Sequence, residues 1–214
     1  RPYAFLDDAP LEERRTQAVL ARRWMDPENA SDLGKLDLEA IQKVRDEVWI
    51  DARNADELHA ALLGFGFLSD AEIAAQPAWR ALIDELAAAS RATRLIIDAC
   101  GVFVAAERLP EFEAVFPAAP RAPNIDTPQD YRKAWEREAA LVEILRDRLQ
   151  GLGPVTARSL AAPLGLAAAD ADLALLKLET EGTVMRGHFT PGTLELEWCE
   201  RRLLARIHRY TVNR

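Results

Sequence analysis

The sequence is poor in the residues that carry most enzyme chemistry. It has only two cysteines, Cys100 and Cys199, far apart and without CxxC or Cys/His spacing. Neither a zinc site nor a disulfide framework is indicated, and both read as buried or half-buried thiols of a reducing cytosol. The three histidines are His59, His188 and His208. None has a second metal-type ligand at helical or hairpin spacing, and His59 reads as a surface or half-buried helix residue. No G-x-x-x-x-G-K-[ST] loop is present, which excludes cradling of a nucleoside triphosphate in the P-loop manner; H-E-x-x-H and G-x-S-x-G are missing too. Asp7-Asp8 could be a carboxylate pair, but at a helix edge it reads as turn and cap residues. No apolar run approaches the roughly 18 residues needed to span a bilayer. A basic-then-apolar leader is also lacking, so nothing suggests secretion.

What is there is an acidic chain of 214 residues, 49% hydrophobic and 29% charged, with a formal net charge of −8. That balance opposes non-specific binding of nucleic acid by the surface as a whole, so any polyanion site must be local. The last stretch breaks the pattern. From Trp198 onward Arg201, Arg202, Arg206, Arg209 and Arg214 stand against Glu200 alone. The chain opens on Arg1-Pro2 and closes mid-pattern on Arg214, and both ends read as cuts inside a longer polypeptide.

Periodicity and breakers give the organisation. Residues 1–35 read as an extended aromatic piece, a helix from about Pro10, and a breaker-rich linker over 25–35. Residues 36–116 read as short helices followed by a hairpin at about 93–98 and 102–106. Asp37 caps the first helix, and capping boxes stand at Asn54/Glu57 and Ser69/Glu72. Residues 117–127, within the proline-rich "FPAAPRAPNIDT", read as a linker and the best domain boundary. Residues 128–214 begin with a long helix from Thr127-Pro128 to about Leu149. A helix capped by Thr156, a third ending at Gly182, a hairpin with Pro191-Gly192 in its turn and the basic terminal helix follow. The fold class is mainly α with small β-hairpins, that is α+β. The order helix, helix, helix, hairpin occurs twice, which is the pattern of tandem winged-helix domains.

A winged helix that reads DNA usually lays its third helix in the major groove. In the second copy that helix carries Asp170, Asp172, Glu179 and Glu181 against Lys177, and phosphate would repel such a face. The first copy has Arg80 and Arg91 balanced by Asp84 and Glu85. Candidates for nucleic-acid contact therefore lie elsewhere: Arg158 on the second helix, Arg186 and His188 on the wing, and Arg201, Arg202, Arg206 and Arg209 on the terminal helix. Arg202, Arg206 and Arg209 form one stripe at i, i+4 and i+7. Leu203, Ile207 and Tyr210 form a neighbouring stripe that should be buried. The basic face reads either as a solvated face bridged to carboxylates or as a backbone contact to a nucleic-acid strand.

"RPYAFLDDAPLEERR" and "EWCERRLLARIHRYTVNR" resemble signature segments of the large helicase-related (Lhr) family, bacterial superfamily 2 ATP-dependent DNA helicases. "LDLEAIQKVRDEVWIDARNADELHAALL" through "VFVAAERLPEF", and "GPVTARSLAAPLGL…LETEGTVMRGHFTPG", extend the resemblance over essentially the whole chain. It implies a piece running from the end of the helicase core into a C-terminal region of winged helices. It further implies 3′-to-5′ translocation on single-stranded DNA and a role in DNA repair, in the bacterial cytosol and nucleoid. ATP and Mg²⁺ would be cofactors of the parent motor; this piece holds no ATPase motif and is expected to be non-catalytic. The expected partners are single-stranded DNA, the helicase core and later domains of the same chain, and no membrane. Two roles stay open: guiding a nucleic-acid strand, or spacing the motor from a later domain without touching nucleic acid. The second predicts an exposed apolar patch around the terminal helix or residues 3–20.

Overall fold

The computed structural model describes residues 36–98 and 100–213. The helix expected from about Pro10 and the linker over 25–35 lie outside the described residues. Those described form a mixed α and β fold, with helices around two small antiparallel sheets. α1 (Leu38–Val48) starts at Asp37, whose carboxylate accepts from Glu39 N at 3.0 Å. Next come α2 (Ala55–Phe65), β1 (Leu68–Ser69), α3 (Asp70–Ala75), α4 (Pro77–Ala88), β2 (Ala92–Ile97), β3 (Cys100–Ala105) and α5 (Leu109–Val115). β4 (Arg121–Ala122) leads to α6 (Arg137–Leu149), β5 (Val155–Thr156), α7 (Ala157–Ala161), α8 (Ala168–Thr180), β6 (Val184–Gly187), β7 (Glu197–Glu200) and α9 (Arg201–Val212).

One order of elements is built twice. The run from α2 to α5 is matched by the run from α6 to α9, and the strands pair alike, β1-β3-β2 in one sheet and β5-β7-β6 in the other. The likeness reaches single bonds. A glycine in the left-handed region precedes the short strand in each, Gly66 at φ 83° and Gly153 at φ 66°. A hydroxyl then caps the next helix: Ser69 Oγ accepts from Glu72 N at 3.3 Å, and Thr156 Oγ1 accepts from Ser159 N at 3.1 Å. At the end of the long helix Arg91 N donates to Leu86 O, and Thr183 N to Leu178 O, both at 2.9 Å. Such a closing bond needs a left-handed residue just before it; Ser90 supplies it in the first repeat and Gly182 in the second. Phe103 lies between Leu68 and Arg94 as Trp198 lies between Val155 and Arg186.

Side chains alternate along a strand, so each sheet has two faces to cover. Val184 and Trp198 enter the main core with Leu175 and Leu178 of α8. That core continues into the first repeat through Leu95, Val104 and Phe112, with Leu145 of α6 between the two. Met185 and Cys199 face the other way, into a smaller core with Ile41 and Val44 of α1 and Leu203, Leu204 and Ile207 of α9. Burial there pushes the Cys199 thiol well above its ordinary range, which makes it an inert core residue.

Arginines lock the helices that cover each repeat. Arg45 of α1 donates from Nε to Leu152 O at 3.0 Å and from Nη2 to Pro154 O at 2.6 Å. Arg148 of α6 does the same for the first repeat, donating from Nη1 to Phe67 O at 3.1 Å, pairing with Glu72 and lying over the Phe67 ring. Pro154 and Phe67 hold the same place, directly after the left-handed glycine. Arg108 donates to Leu63 O at 2.9 Å and pairs with Glu111 and Asp147, which fastens α2 and α5 to α6.

Three expectations change. The helix expected from Thr127-Pro128 begins at Arg137 instead. Residues 129–131 make one 3-10 turn, Arg132 is extended, and its Nε donates to Thr127 O at 3.1 Å. The polar run Gln129–Lys133 has no apolar stripe to bury, so no packing holds it helical. Residues 117–127, expected as a linker, are built into the first sheet: β4 pairs with β2, and Ile125 is buried in the main core. α1, expected to belong with residues 36–116, packs on α9 at the far end of the chain, because its stripe Ala40, Ile41 and Val44 meets the apolar side of α9.

Candidate nucleic-acid interface

The residues expected to face nucleic acid do not form one surface. Burial of Leu203, Leu204 and Ile207 against α1 turns Arg202 and Arg209 of α9 to solvent. Arg206, expected between them on one stripe, is half-buried and paired, with Nη2 2.5 Å from Glu47 Oε2 of α1. Tyr210 OH donates to the same oxygen at 3.2 Å. Arg201 is half-buried; its backbone N donates to Thr183 O at 3.0 Å, and its Nε is buried with no hydrogen-bond partner among the described residues.

Arg186 stands on the opposite face of its sheet from α9. It lies across from Trp198, whereas Met185 and Cys199 carry the face that α9 covers. Its Nε lies 3.1 Å from Glu179 Oε1 on α8. His188 is exposed where the β6–β7 connection begins, and its Nδ1 donates to Glu195 O at 3.1 Å. Arg158 is exposed on α7 and has no ion pair among the described residues. The structure thus groups Arg202 with Arg209, ties Arg186 and Arg206 to carboxylates, and leaves Arg158 on a separate element.

Three of the four carboxylates of α8 and its end, all but Asp172, are paired from outside the helix. Arg137 lies 3.6 Å from Asp170, Arg186 3.1 Å from Glu179, and Arg146 2.7 Å from Glu181. Residue spacing within α8 gave no signal of this, since the arginines come from α6 and β6. Between the flanking charges runs an exposed stripe of Ala169, Leu173, Leu176 and Thr180, in which Leu173 is 69% and Leu176 40% exposed. Aligned at their matching ends, Leu86 and Leu178, α4 carries Ala81 and Asp84 where α8 has these leucines. The apolar stripe therefore belongs to the second repeat and not to the shared architecture. The β6–β7 connection adds Leu194, 93% exposed, and Leu196, 43% exposed. A signal for this was present: leucines at 173, 175, 176 and 178 cannot all share one helix face.

Near α9 only Val212 at its end, 65% exposed, and Leu38 of α1, 54% exposed, stand out among the described residues, because α1 covers the apolar side of α9. The remaining exposed leucines lie on α8 and the β6–β7 connection. Residues 3–20 lie outside the described residues.

His59, expected at the surface or half-buried, is buried. Arg91 Nη2 donates to its Nδ1 at 3.1 Å, so its Nε2 carries the proton toward Glu107 Oε2 at 3.1 Å. Both ring nitrogens are occupied by neighbours, from the residue just before β2 and from the turn after β3. Among the described residues no group of three or more His, Cys, Asp or Glu could hold a metal ion. No single described helix is long and apolar enough to cross a membrane. No protein-family model matches the chain, and comparison with curated proteins yields no relative.

Proposed function

We propose that this chain is a non-catalytic accessory module of an ATP-dependent DNA helicase of the large helicase-related type, built from two winged helices in tandem, and that it works by contacting protein. Support for the winged helices is the order helix, short strand, helix, long helix, two-stranded hairpin, found twice with the short strand beside the second hairpin strand. The helicase assignment rests on the resemblance of the sequence segments alone. ATP and Mg²⁺ belong to the motor of the parent protein, and so do translocation and a part in DNA repair.

The observation that carries the protein-contact reading is the outward face of α8. At the position where a DNA-reading winged helix presents polar and basic side chains, this one presents Leu173 and Leu176 among carboxylates of which Asp170, Glu179 and Glu181 are already paired. Phosphate gains nothing from such a face, while an apolar partner surface does.

One observation favours a second reading. Arg158, Arg202 and Arg209 are exposed and have no ion pair among the described residues, so each is open to a phosphate, although Arg158 stands apart from the other two. Anisotropy titrations with labelled single- and double-stranded DNA at two salt concentrations separate the readings. On the protein-contact reading neither DNA binds at low salt. Binding to single strands with a slope of about −0.7 per phosphate, reduced by about two units in an Arg158/Arg202/Arg209→Ala variant, would establish the second reading instead.

A further inference from the structure

The two repeats differ at one sheet edge. In the first, β4 adds to the outside of β2, with Ala122 opposite Arg94 and Arg121 opposite Leu95. Ile96 N donates to Pro120 O at 2.9 Å, and Thr93 Oγ1 donates to Pro123 O at 2.5 Å. In the second, β6 is the matching strand, and among the described residues no strand pairs with its outer edge.

The match fixes which groups that edge offers. Arg91 O accepts from Ala106 N, and Thr183 O accepts from Arg201 N, so these carbonyls point inward, toward the hairpin partner. Alternation then turns Met185 and Gly187 toward β7, and the amides and carbonyls of Val184 and Arg186 outward. Open edges of this kind are usually blocked by a proline, a bulge or a charge standing over them. β6 has no proline, and its one charge, on Arg186, is drawn to Glu179 on α8.

We infer that the outer edge of β6 is a strand-accepting site for an extended, proline-flanked segment of a protein, running antiparallel to β6 with a small residue opposite Arg186. The chemistry of the occupant is taken from β4. Ala122 is small, and Arg94 beside it keeps a two-pronged contact with Asp70, Nε–Oδ1 2.7 Å and Nη2–Oδ2 2.5 Å. A small residue opposite Arg186 leaves its contact with Glu179 intact in the same way. Prolines suit the flanks because they accept through their carbonyls and bring no further N–H that would need a partner. The strand direction sets the remaining contact. Residues ahead of the small one extend toward the wing, where Leu194 and Leu196 stand exposed, so an apolar residue belongs there. Phe116 precedes β4 in this way and is packed against the main core.

The probe is a synthetic peptide of residues 116–125, "FPAAPRAPNI", added to the whole chain and followed by amide hydrogen exchange resolved to single residues. At saturation the Val184 and Arg186 amides should slow by about tenfold or more. A peptide with Trp in place of Ala122 should protect them much less. An Arg186→Pro chain, which loses an outward N–H but no N–H facing β7, should lose the effect; unchanged near-ultraviolet circular dichroism shows that it is folded. Unchanged exchange at 184 and 186 in the wild-type chain overturns the proposal. So does protection confined to 92–97, which would mean that the peptide only replaces β4. Protection of 184 and 186 without peptide, together with a doubled mass in solution, would also overturn it by making a second copy the occupant.

Discussion

Arg148→Met should destabilise the chain by about 3 kcal/mol, although it removes no element of the fold. The Arg148 guanidinium lies over the Phe67 and Trp49 rings, and an unbranched methionine follows most of the same path, so the cavity contribution is small. What is lost is polar. The Phe67 carbonyl loses its donor in a buried setting, which costs about 1–3 kcal/mol. Glu72 loses its partner as well, but its side chain is 22% exposed and still accepts from Ser69 N and Oγ at 2.8 and 2.9 Å. Water and those two donors hold that contribution to about 1 kcal/mol, well short of the 3–5 kcal/mol of a fully buried widowed charge. With a urea slope of about 2–3 kcal/mol/M the unfolding midpoint should fall by roughly 1–1.5 M. In a double-mutant cycle with Glu72→Gln the two changes should couple by about 1 kcal/mol, because each removes the same pair. A loss below about 0.5 kcal/mol in Arg148→Met, the range of an ordinary surface change, would refute the reasoning that this arginine locks the first repeat.

Arg45→Met should act in the same way on the second repeat but less strongly, by about 1–1.5 kcal/mol, since its two acceptor carbonyls lie nearer to solvent. Hydrogen exchange should show the loss concentrated in α1. Leu173→Ser with Leu176→Ser should leave the urea midpoint unchanged within about 0.5 kcal/mol, because both leucines are exposed, while binding of a hydrophobic dye falls. Hydrogen bonding from Arg94 holds the Asp70 carboxyl below its ordinary value, so its contribution is present above its unfolded pKa near 4 and is lost as pH falls through the lower folded value. Urea midpoints of the wild type and Asp70→Asn should therefore differ most near neutral pH and converge on acidification. Gly66→Ala should cost about 1–2 kcal/mol from the left-handed backbone alone, since the nearest atom to the new carbon, Ile144 O, is a comfortable 3.6 Å away.

The repeat was legible because its signals are local. Capping residues at Asp37, Ser69 and Thr156, and the Pro191-Gly192 turn, act on the backbone within a few residues of themselves, and each appears where the spacing put it. The likeness of "GFGFLS" to "GLGPVT" was in the sequence as well, and it marks the same left-handed turn and cap in both halves. What was not legible is what comes from a distance. The stripe of Arg202, Arg206 and Arg209 is true as helical geometry, yet Glu47, far off in sequence, removes its middle member. The acidity of α8 is true as composition, yet Arg137, Arg146 and Arg186 cancel most of it. Charge on one helix says little about the field at its surface until the opposing helices are placed.

The way the repeats close on each other explains which surfaces are left for a partner. The last helix of the first repeat, α5, buries Leu109, Phe112 and Val115 in the core shared with α6, the first helix of the second repeat. In an open array the last helix of the second repeat, α9, would wait for the first helix of another unit. Here α1 fills that place, with Arg45 reaching Pro154 O as Arg148 reaches Phe67 O. The seam that would extend such an array is thus already occupied by the chain itself. Two features of the second repeat have no cover of this kind among the described residues: the leucine stripe of α8 and the outer edge of β6. They adjoin through the Glu179–Arg186 pair, so a partner that adds a strand to β6 passes beside α8 and can reach Leu176, one turn from Glu179. One contact surface, part backbone and part apolar side chain, is therefore expected in place of the basic groove that the terminal arginines suggested.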